Sequence, residues 1–145
     1  GLGTQITATG GSRWIFADSV TTITNGSVVA INSTFRATAI GGAGAATAAP
    51  EATGAQIGFY QNSTSLTTGQ AAWFMIQGVP TLLVASAGIT VPLYSSDTAG
   101  TLTGTTNTVS HFQISGITCV VTASVSTASL TATVANSVSV RKPVA

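Results

Sequence analysis

The chain has 145 residues, and only 5% of them are charged, against about 25% in an ordinary soluble domain. Its net charge is +1, its basic residues are few and scattered, and 44% of its residues are hydrophobic. This composition excludes a disordered chain, which is low in hydrophobicity and high in charge, and a nucleic-acid-binding protein, which needs clustered Lys and Arg. A net charge near zero favours association with other protein surfaces.

The length predicts one domain, because it is close to the usual size of a single hydrophobic core. The longest apolar run, from Trp73 to Ser86, is interrupted by Gly78 and Pro80. It falls short of the roughly 20 apolar residues that cross a bilayer. We therefore expect a single β domain over residues 12–145, with no nucleic-acid partner and no membrane partner.

Short runs of β-branched and aromatic residues alternate with turn residues along the chain, a pattern typical of a β-barrel or sandwich. Asn25-Gly26 predicts a hairpin turn, because both residues tolerate positive φ. In Ser129–Val140 apolar residues recur at even positions, as in a strand with one buried face. We therefore predict an all-β fold. The predicted strands are Gln5–Thr9, Trp14–Ala17, Ser27–Ile31, Phe35–Ile40, Ala55–Tyr60, Ala72–Gln77, Thr81–Ala85, Val91–Tyr94, His111–Ser115, Ile117–Ala123, Ser129–Val134 and Val138–Arg141.

One segment fits a helix as well as a strand. Thr67 and Gln70 match a capping box, which often precedes a helix, ahead of the apolar run 71–76. The run is short, rich in aromatic residues and followed by Gly78 and Pro80. These features favour a strand.

Residues 41–54 are mostly Gly, Ala and Thr and include no large apolar residue. Such a segment can bury little surface, so we predict a surface loop. The alternative is an arm that lies on a neighbouring subunit.

Residues that carry catalysis or bind metals are scarce. His111 is the single histidine, Cys119 is the single cysteine and lies in an apolar run, and no Gly-x-Ser-x-Gly motif is present. The carboxylates Asp18, Glu51 and Asp97 are far apart in sequence and form no spaced ligand set of the kind that zinc needs. We predict that the protein is not an enzyme, and that it has no catalytic residue, no metal site and no cofactor.

The large aromatic residues fall on two predicted strands. Trp14 and Phe16 alternate on one strand, and Trp73 and Met75 alternate on another, so each pair shares a strand face. Our first interpretation is that these residues belong to the core. The alternative is that Trp14, Phe16 and Trp73 form a subunit interface, where Trp is favoured at the positions that carry most binding energy.

The segment Gln70–Gly116 contains a series of apolar strands and turns. An apolar strand ends in Gly78-Val-Pro80. The next parts are Thr81-Leu-Leu-Val-Ala85, Ala87-Gly-Ile-Thr-Val-Pro-Leu93, Asp97-Thr-Ala-Gly-Thr-Leu102 and Ile114-Ser-Gly-Ile117. This order resembles that of the head decoration (cement) proteins of tailed bacteriophages, in which a similar strand, a Thr-Ala-Gly turn and a Gly-Ile step recur.

The resemblance implies a compact β-barrel or β-tulip domain on the outer surface of a capsid. Such proteins clamp neighbouring capsid subunits, often as trimers at local three-fold positions. On this basis we expect a structural virion protein whose partners are the major capsid protein and other copies of itself in a homotrimer.

The first eleven residues are predicted to form an extended N-terminal arm. Residues 1–11 carry no charged side chain, and neither Lys nor Pro is present to block pairing at a strand edge. An extended segment of this kind can add a strand to a neighbour's sheet. We predict that Leu2, Gln5 and Ile6 dock on the capsid; the alternative is a frayed terminus.

Two other functions remain open. One is a different virion structural component, such as a fibre, knob or tail protein that binds a host surface. The other is a bacterial surface or pilus-like β module.

Overall fold

A computed structural model describes residues 1–42, 56–85, 93–104, 113–119 and 128–141. Within these ranges the protein forms eleven strands and no helix, which confirms the predicted all-β fold. The strands are β1 (Gln5–Thr7), β2 (Arg13–Ser19), β3 (Val28–Ile31), β4 (Arg36–Ala39), β5 (Gln56–Tyr60), β6 (Ala71–Gln77), β7 (Thr81–Ala85), β8 (Leu93–Ser95), β9 (Leu102–Thr103), β10 (Gln113–Cys119) and β11 (Ala128–Arg141).

The strands form two sheets. The first has the order β1-β2-β4-β3-β5-β6, and β6 also pairs with β2, so that the sheet curls back on itself. β1 and β4 share one edge of β2: β1 pairs with its first half and β4 with its last two residues. The second sheet is a closed barrel of β10, β11, β7, β9 and β8.

Most predicted strands are present with shifted ends, and the segment 71–77 is a strand, as favoured over a helix. Gln70 still caps the preceding turn, because its Oε1 accepts a hydrogen bond from the Thr67 amide at 2.8 Å. Two predicted breaks are wrong. β10 runs through Gly116 with a shift of register there, and β11 is one strand of 14 residues.

Some predicted features lie outside the described residues. Of the Gly- and Ala-rich segment 41–54, only Gly41 and Gly42 are described. His111 and Glu51 also fall outside. Cys119 is described only as a residue of β10.

Two hydrophobic clusters hold the fold together. Alternation along β3 sends Val29 and Ile31 into a cluster enclosed by the first sheet, and Val28 into a second cluster on the opposite face. This second cluster also contains Phe59 and Met75 of the first sheet and five described residues of the closed barrel, Leu82, Val84, Leu93, Leu102 and Ile114. The closed barrel therefore packs against the outer face of the first sheet.

Backbone hydrogen bonds join the two sheets beside this second cluster. The amide of Val28 donates to the carbonyl of Gly100 at 3.0 Å, and the amide of Gly100 donates to Ile40 at 2.7 Å. The amide of Gly42 donates to the carbonyl of Ser96 at 2.9 Å. Gly41 has a φ of +90°, and a Cβ atom there would lie 2.5 Å from the Ser96 carbonyl oxygen. The two chain segments approach this closely only because residue 41 has no side chain.

We predict that Gly41→Ala destabilises the protein more than the matched substitution Gly69→Ala. Gly69 has nearly the same φ, +85°, but no atom lies within 4 Å of the position its Cβ would occupy. Both substitutions impose left-handed strain of about 1–2 kcal/mol. Overpacking against Ser96 should cost Gly41→Ala about 1–3 kcal/mol more, measured as the free energy of unfolding in urea. Equal losses for the two variants would contradict the close contact.

Candidate interaction surface

The segment predicted as an N-terminal arm lies along the edge of its own sheet. β1 pairs antiparallel with β2, with Ile6 opposite Trp14. The amide of Gly3 donates to the Phe16 carbonyl at 2.7 Å, and the Phe16 amide donates to the Thr4 carbonyl at 2.9 Å. The residues before β1 are thus also held against β2.

Phe35 fixes the start of this segment. It lies in the turn between β3 and β4 with a φ of 60°, which is uncommon for a bulky side chain. Gly3 has a φ of +84°, and a Cβ atom at Gly3 would lie 2.5 Å from the Phe35 ring. The ring therefore occupies the space that a side chain at Gly3 would need, and it packs against the backbone there.

The outer edge of β1 is open to a further strand. Among the described strands, β1 pairs with β2 alone. Ladder bonds in an antiparallel pair recur at every second residue, and here they flank β1 at Thr4 and Ala8. The peptide groups of Gln5 and Thr7 therefore point away from β2. All three residues of β1 are exposed, so neither face of this edge is covered by the described residues.

The three predicted docking residues lie on this segment but do not share one face. Leu2 and Ile6 are 43% and 45% exposed. Gln5 is exposed as well, but successive residues of a strand point to opposite faces, so the side chains of Gln5 and Ile6 lie on different faces of β1. Its Oε1 accepts a hydrogen bond from Arg13 at 2.9 Å. Docking on a capsid through these residues stays a prediction.

The structure brings Trp14, Phe16 and Trp73 together on the outer side of the first sheet. Phe16 lies directly opposite Trp73, and their ring centroids are 5.1 Å apart with planes tilted by 49°. Trp14 shares this side with Phe16, and Ile6 lies opposite Trp14. We call Ile6, Trp14, Phe16 and Trp73 the aromatic face.

The core interpretation of these aromatic residues is wrong for Trp73, which is 37% exposed, and only partly right for Trp14 and Phe16, which are half-buried. The interior positions of β2 are occupied by Ile15 and Ala17 instead. A subunit contact through the aromatic face stays a prediction.

The aromatic face continues the buried surface between the two sheets. Met75 lies opposite Trp14 and is buried in the cluster beneath the closed barrel, against which Trp14 packs with part of its ring. Trp14 also donates its indole N–H to Ser12 at 3.0 Å. Phe16 and Trp73 are not part of this cluster, and both are reached by solvent.

A loop after β5 stands beside the aromatic face and forms a groove of about 650 Å³ with it. The groove is lined by Trp14, Phe16, Tyr60, Gln61, Asn62, Ser63, Ala71, Ala72 and Trp73. The amide of Gln61 clamps the loop to β7, because its Oε1 accepts from the Thr81 amide at 2.8 Å and its Nε2 donates to the Thr81 carbonyl at 2.9 Å. Tyr60 donates its hydroxyl to the Thr64 carbonyl at 2.6 Å. The wall of the groove is therefore fixed before any ligand binds.

No pattern in the sequence indicated this loop as part of a site. Gln61 acts through a residue of a later strand, and Asn62 and Ser63 belong to a run of small polar residues with no motif of its own. Only the aromatic residues of the groove could be picked out from the sequence.

Charged groups near these features are few. Arg36 and Asp18, which lie opposite each other on β4 and β2, form an ion pair at 3.3 Å near the surface. The described residues contain no group of three or more His, Cys, Asp or Glu side chains that could hold a metal ion. They also contain no helix that is long and apolar enough to cross a membrane. Comparison of the chain with known protein-family models and with curated protein sequences found no match.

Burial raises the pKa of the Tyr60 phenol above its ordinary value of 10.0. The unfolded chain then releases this proton at a lower pH than the folded protein does. Stability from Tyr60 is therefore fully present below about pH 10 and falls as the pH rises beyond it.

We predict that Tyr60→Phe reduces the amount of stability that the protein loses at alkaline pH. The variant should lose about 1 kcal/mol at neutral pH, because the hydrogen bond to Thr64 is absent. Its free energy of unfolding should then change less than that of the wild type between neutral and strongly alkaline pH. An identical pH dependence for Tyr60→Phe and the wild type would contradict the prediction.

Proposed function

We propose that this chain is a structural virion protein that binds the outer surface of a phage capsid and stabilises it. The observation that carries the proposal is the open edge of β1, whose own residues carry no charge, next to the exposed side chains of Leu2 and Ile6. The resemblance of segment 70–116 to head decoration proteins gives the proposal its partner, the major capsid protein. The scarcity of charge agrees with attachment to another protein surface and not to nucleic acid.

The open edge offers main-chain groups to an incoming strand. Gln5 and Thr7 each present one N–H and one C=O group, and each hydrogen bond adds about 0.5–1.5 kcal/mol net. Four such bonds together add about 2–6 kcal/mol, which is less than most of the roughly 4–15 kcal/mol range that association costs. Apolar contact by Leu2 and Ile6 must therefore add to edge pairing.

Assembly of several copies would strengthen this attachment. A homotrimer, which the resemblance implies, presents three β1 edges to the capsid at once. Binding of the second and third edges is then intramolecular, which raises the overall affinity without any new kind of contact. The proposed location is the outside of the capsid.

A test of the proposal blocks the edge without removing the strand. Thr7→Pro removes an N–H that points away from β2 and leaves the ladder bonds of β1 in place, as proline at a strand edge allows. Thr7→Ala is the matched control, because it shortens the side chain and keeps the N–H. We expect Thr7→Pro to bind capsids that lack this protein about tenfold or more weakly than Thr7→Ala, measured by sedimentation. Equal binding of the two variants, with unchanged near-UV circular dichroism, would show that the edge is not the attachment site.

A second function, a fibre, knob or tail protein that binds a host surface, is favoured by a different observation. The groove beside Trp73 is concave and combines aromatic with neutral polar groups. A capsid clamp that works through β1 does not require this groove. The groove is also compatible with a capsid decoration protein, because a protein on the outside of a capsid faces the host surface.

A further inference from the structure

The floor of the groove is an aromatic surface that is open to solvent. Phe16 and Trp73 form it, with ring centroids 5.1 Å apart, and Trp73 is 37% exposed. The volume of about 650 Å³ lies in the range of small-molecule sites, roughly 300–1,000 Å³. An aromatic surface of this kind packs well against the C–H faces of a flat, partly apolar ligand.

The wall of the groove carries hydrogen-bonding groups that the described residues leave available. The Oδ1 atom of Asn62 accepts the Thr64 amide at 3.2 Å, which orients the side chain and leaves its Nδ2 hydrogens free to donate. Ser63 is exposed, and its hydroxyl bonds to no described residue. The Trp73 indole N–H likewise has no acceptor among the described residues. The side-chain amide of Gln61, in contrast, is already hydrogen-bonded to the backbone of Thr81.

The groove wall is preorganised, which lowers the cost of binding. The two hydrogen bonds between Gln61 and Thr81 tie the loop to β7, and the hydrogen bond from the Tyr60 hydroxyl to the Thr64 carbonyl closes the loop at its other end. A ligand therefore need not order this loop when it binds.

The lining of the groove contains no charged side chain. An anionic ligand such as a phosphate would find no cation there. A purely apolar ligand would leave the polar groups of Asn62 and Ser63 without partners. A second copy meeting the same surface across a two-fold axis needs a self-complementary patch, and a concave groove is not self-complementary.

We infer that the groove beside Trp73 binds a neutral saccharide. The apolar face of a sugar ring packs against Phe16 and Trp73, and its hydroxyl groups exchange hydrogen bonds with Asn62, Ser63 and the Trp73 indole. The groove and the β1 edge have different proposed roles. The groove binds a saccharide, whereas the β1 edge pairs with a strand of another protein.

The test is a titration of the full chain with three uncharged trisaccharides: cellotriose, maltotriose and chitotriose. Tryptophan fluorescence and saturation-transfer NMR report binding at millimolar concentrations. We expect at least one of the three to give a saturable change in the wild type and to leave a saturation-transfer signal on its ring protons.

Three variants locate the site. Trp73→Ala should weaken the binding about tenfold or more. Asn62→Asp keeps the acceptor for the Thr64 amide but removes the donor, and should weaken it about fivefold. Val79→Ala is the control: Val79 is 59% exposed and lies outside the groove, so binding should not change.

Two results would overturn the inference. One is the absence of a saturable signal with all three sugars. The other is undiminished binding by Trp73→Ala. If Trp73→Ala instead lowers the oligomeric state in sedimentation and no sugar binds, the aromatic face is a contact between copies. None of these results bears on the Thr7→Pro test, so the two proposals fail separately.

Discussion

The structure depends on the burial of apolar residues on both faces of the first sheet. β3 shows this most directly, since Val29 and Ile31 fill the interior of the sheet while Val28 packs beneath the closed barrel. A strand that is apolar on both faces is stable only if both are covered. The closed barrel supplies one cover, and the backbone bonds of Gly42 and Gly100 fix its position. Trp14 of the aromatic face packs against the same cluster, so the aromatic face continues this apolar surface.

Outside the two buried clusters, the described chain presents two features on adjacent strands. One is the edge of β1, which is held by Phe35 and Gly3 at its start and is open on its outer side. The other is the aromatic face with its groove, where Phe16 and Trp73 remain in contact with solvent. Neither feature depends on charge, which fits a chain in which charged residues are so scarce. The recognition proposed for these two features rests on shape, main-chain hydrogen bonds and aromatic packing.

The sequence predicted the strands better than it predicted their partners. Period-two alternation in 14–17 identified β2 and showed that Trp14 and Phe16 share a face, but alternation alone does not say which face is buried. That depends on the pairing of β2 with β6, which are distant in sequence. The prediction divided the single long strand β11 between Val134 and Val138, whereas β11 pairs with β10 on both sides of that break.

The residues of the candidate sites also differ in how well the sequence could identify them. Leu2, Gln5 and Ile6 could be picked out because they stand in an uncharged segment with β-favouring residues. The loop of Gln61, Asn62 and Ser63 could not, because its shape comes from the bonds of one amide side chain to Thr81. The left-handed conformation of Phe35 also has no signal in the sequence, since bulky residues rarely adopt it.

The outer edge of β1 is proposed to pair with a strand of the capsid. Amide hydrogen exchange, resolved to single residues, tests it most directly. In the free protein the amides of Gln5 and Thr7 point to solvent and should exchange fast, while that of Ile6 is protected by the ladder with β2. On the capsid, Gln5 and Thr7 should become as protected as Ile6. Fast exchange at Gln5 and Thr7 on fully occupied particles would contradict the account.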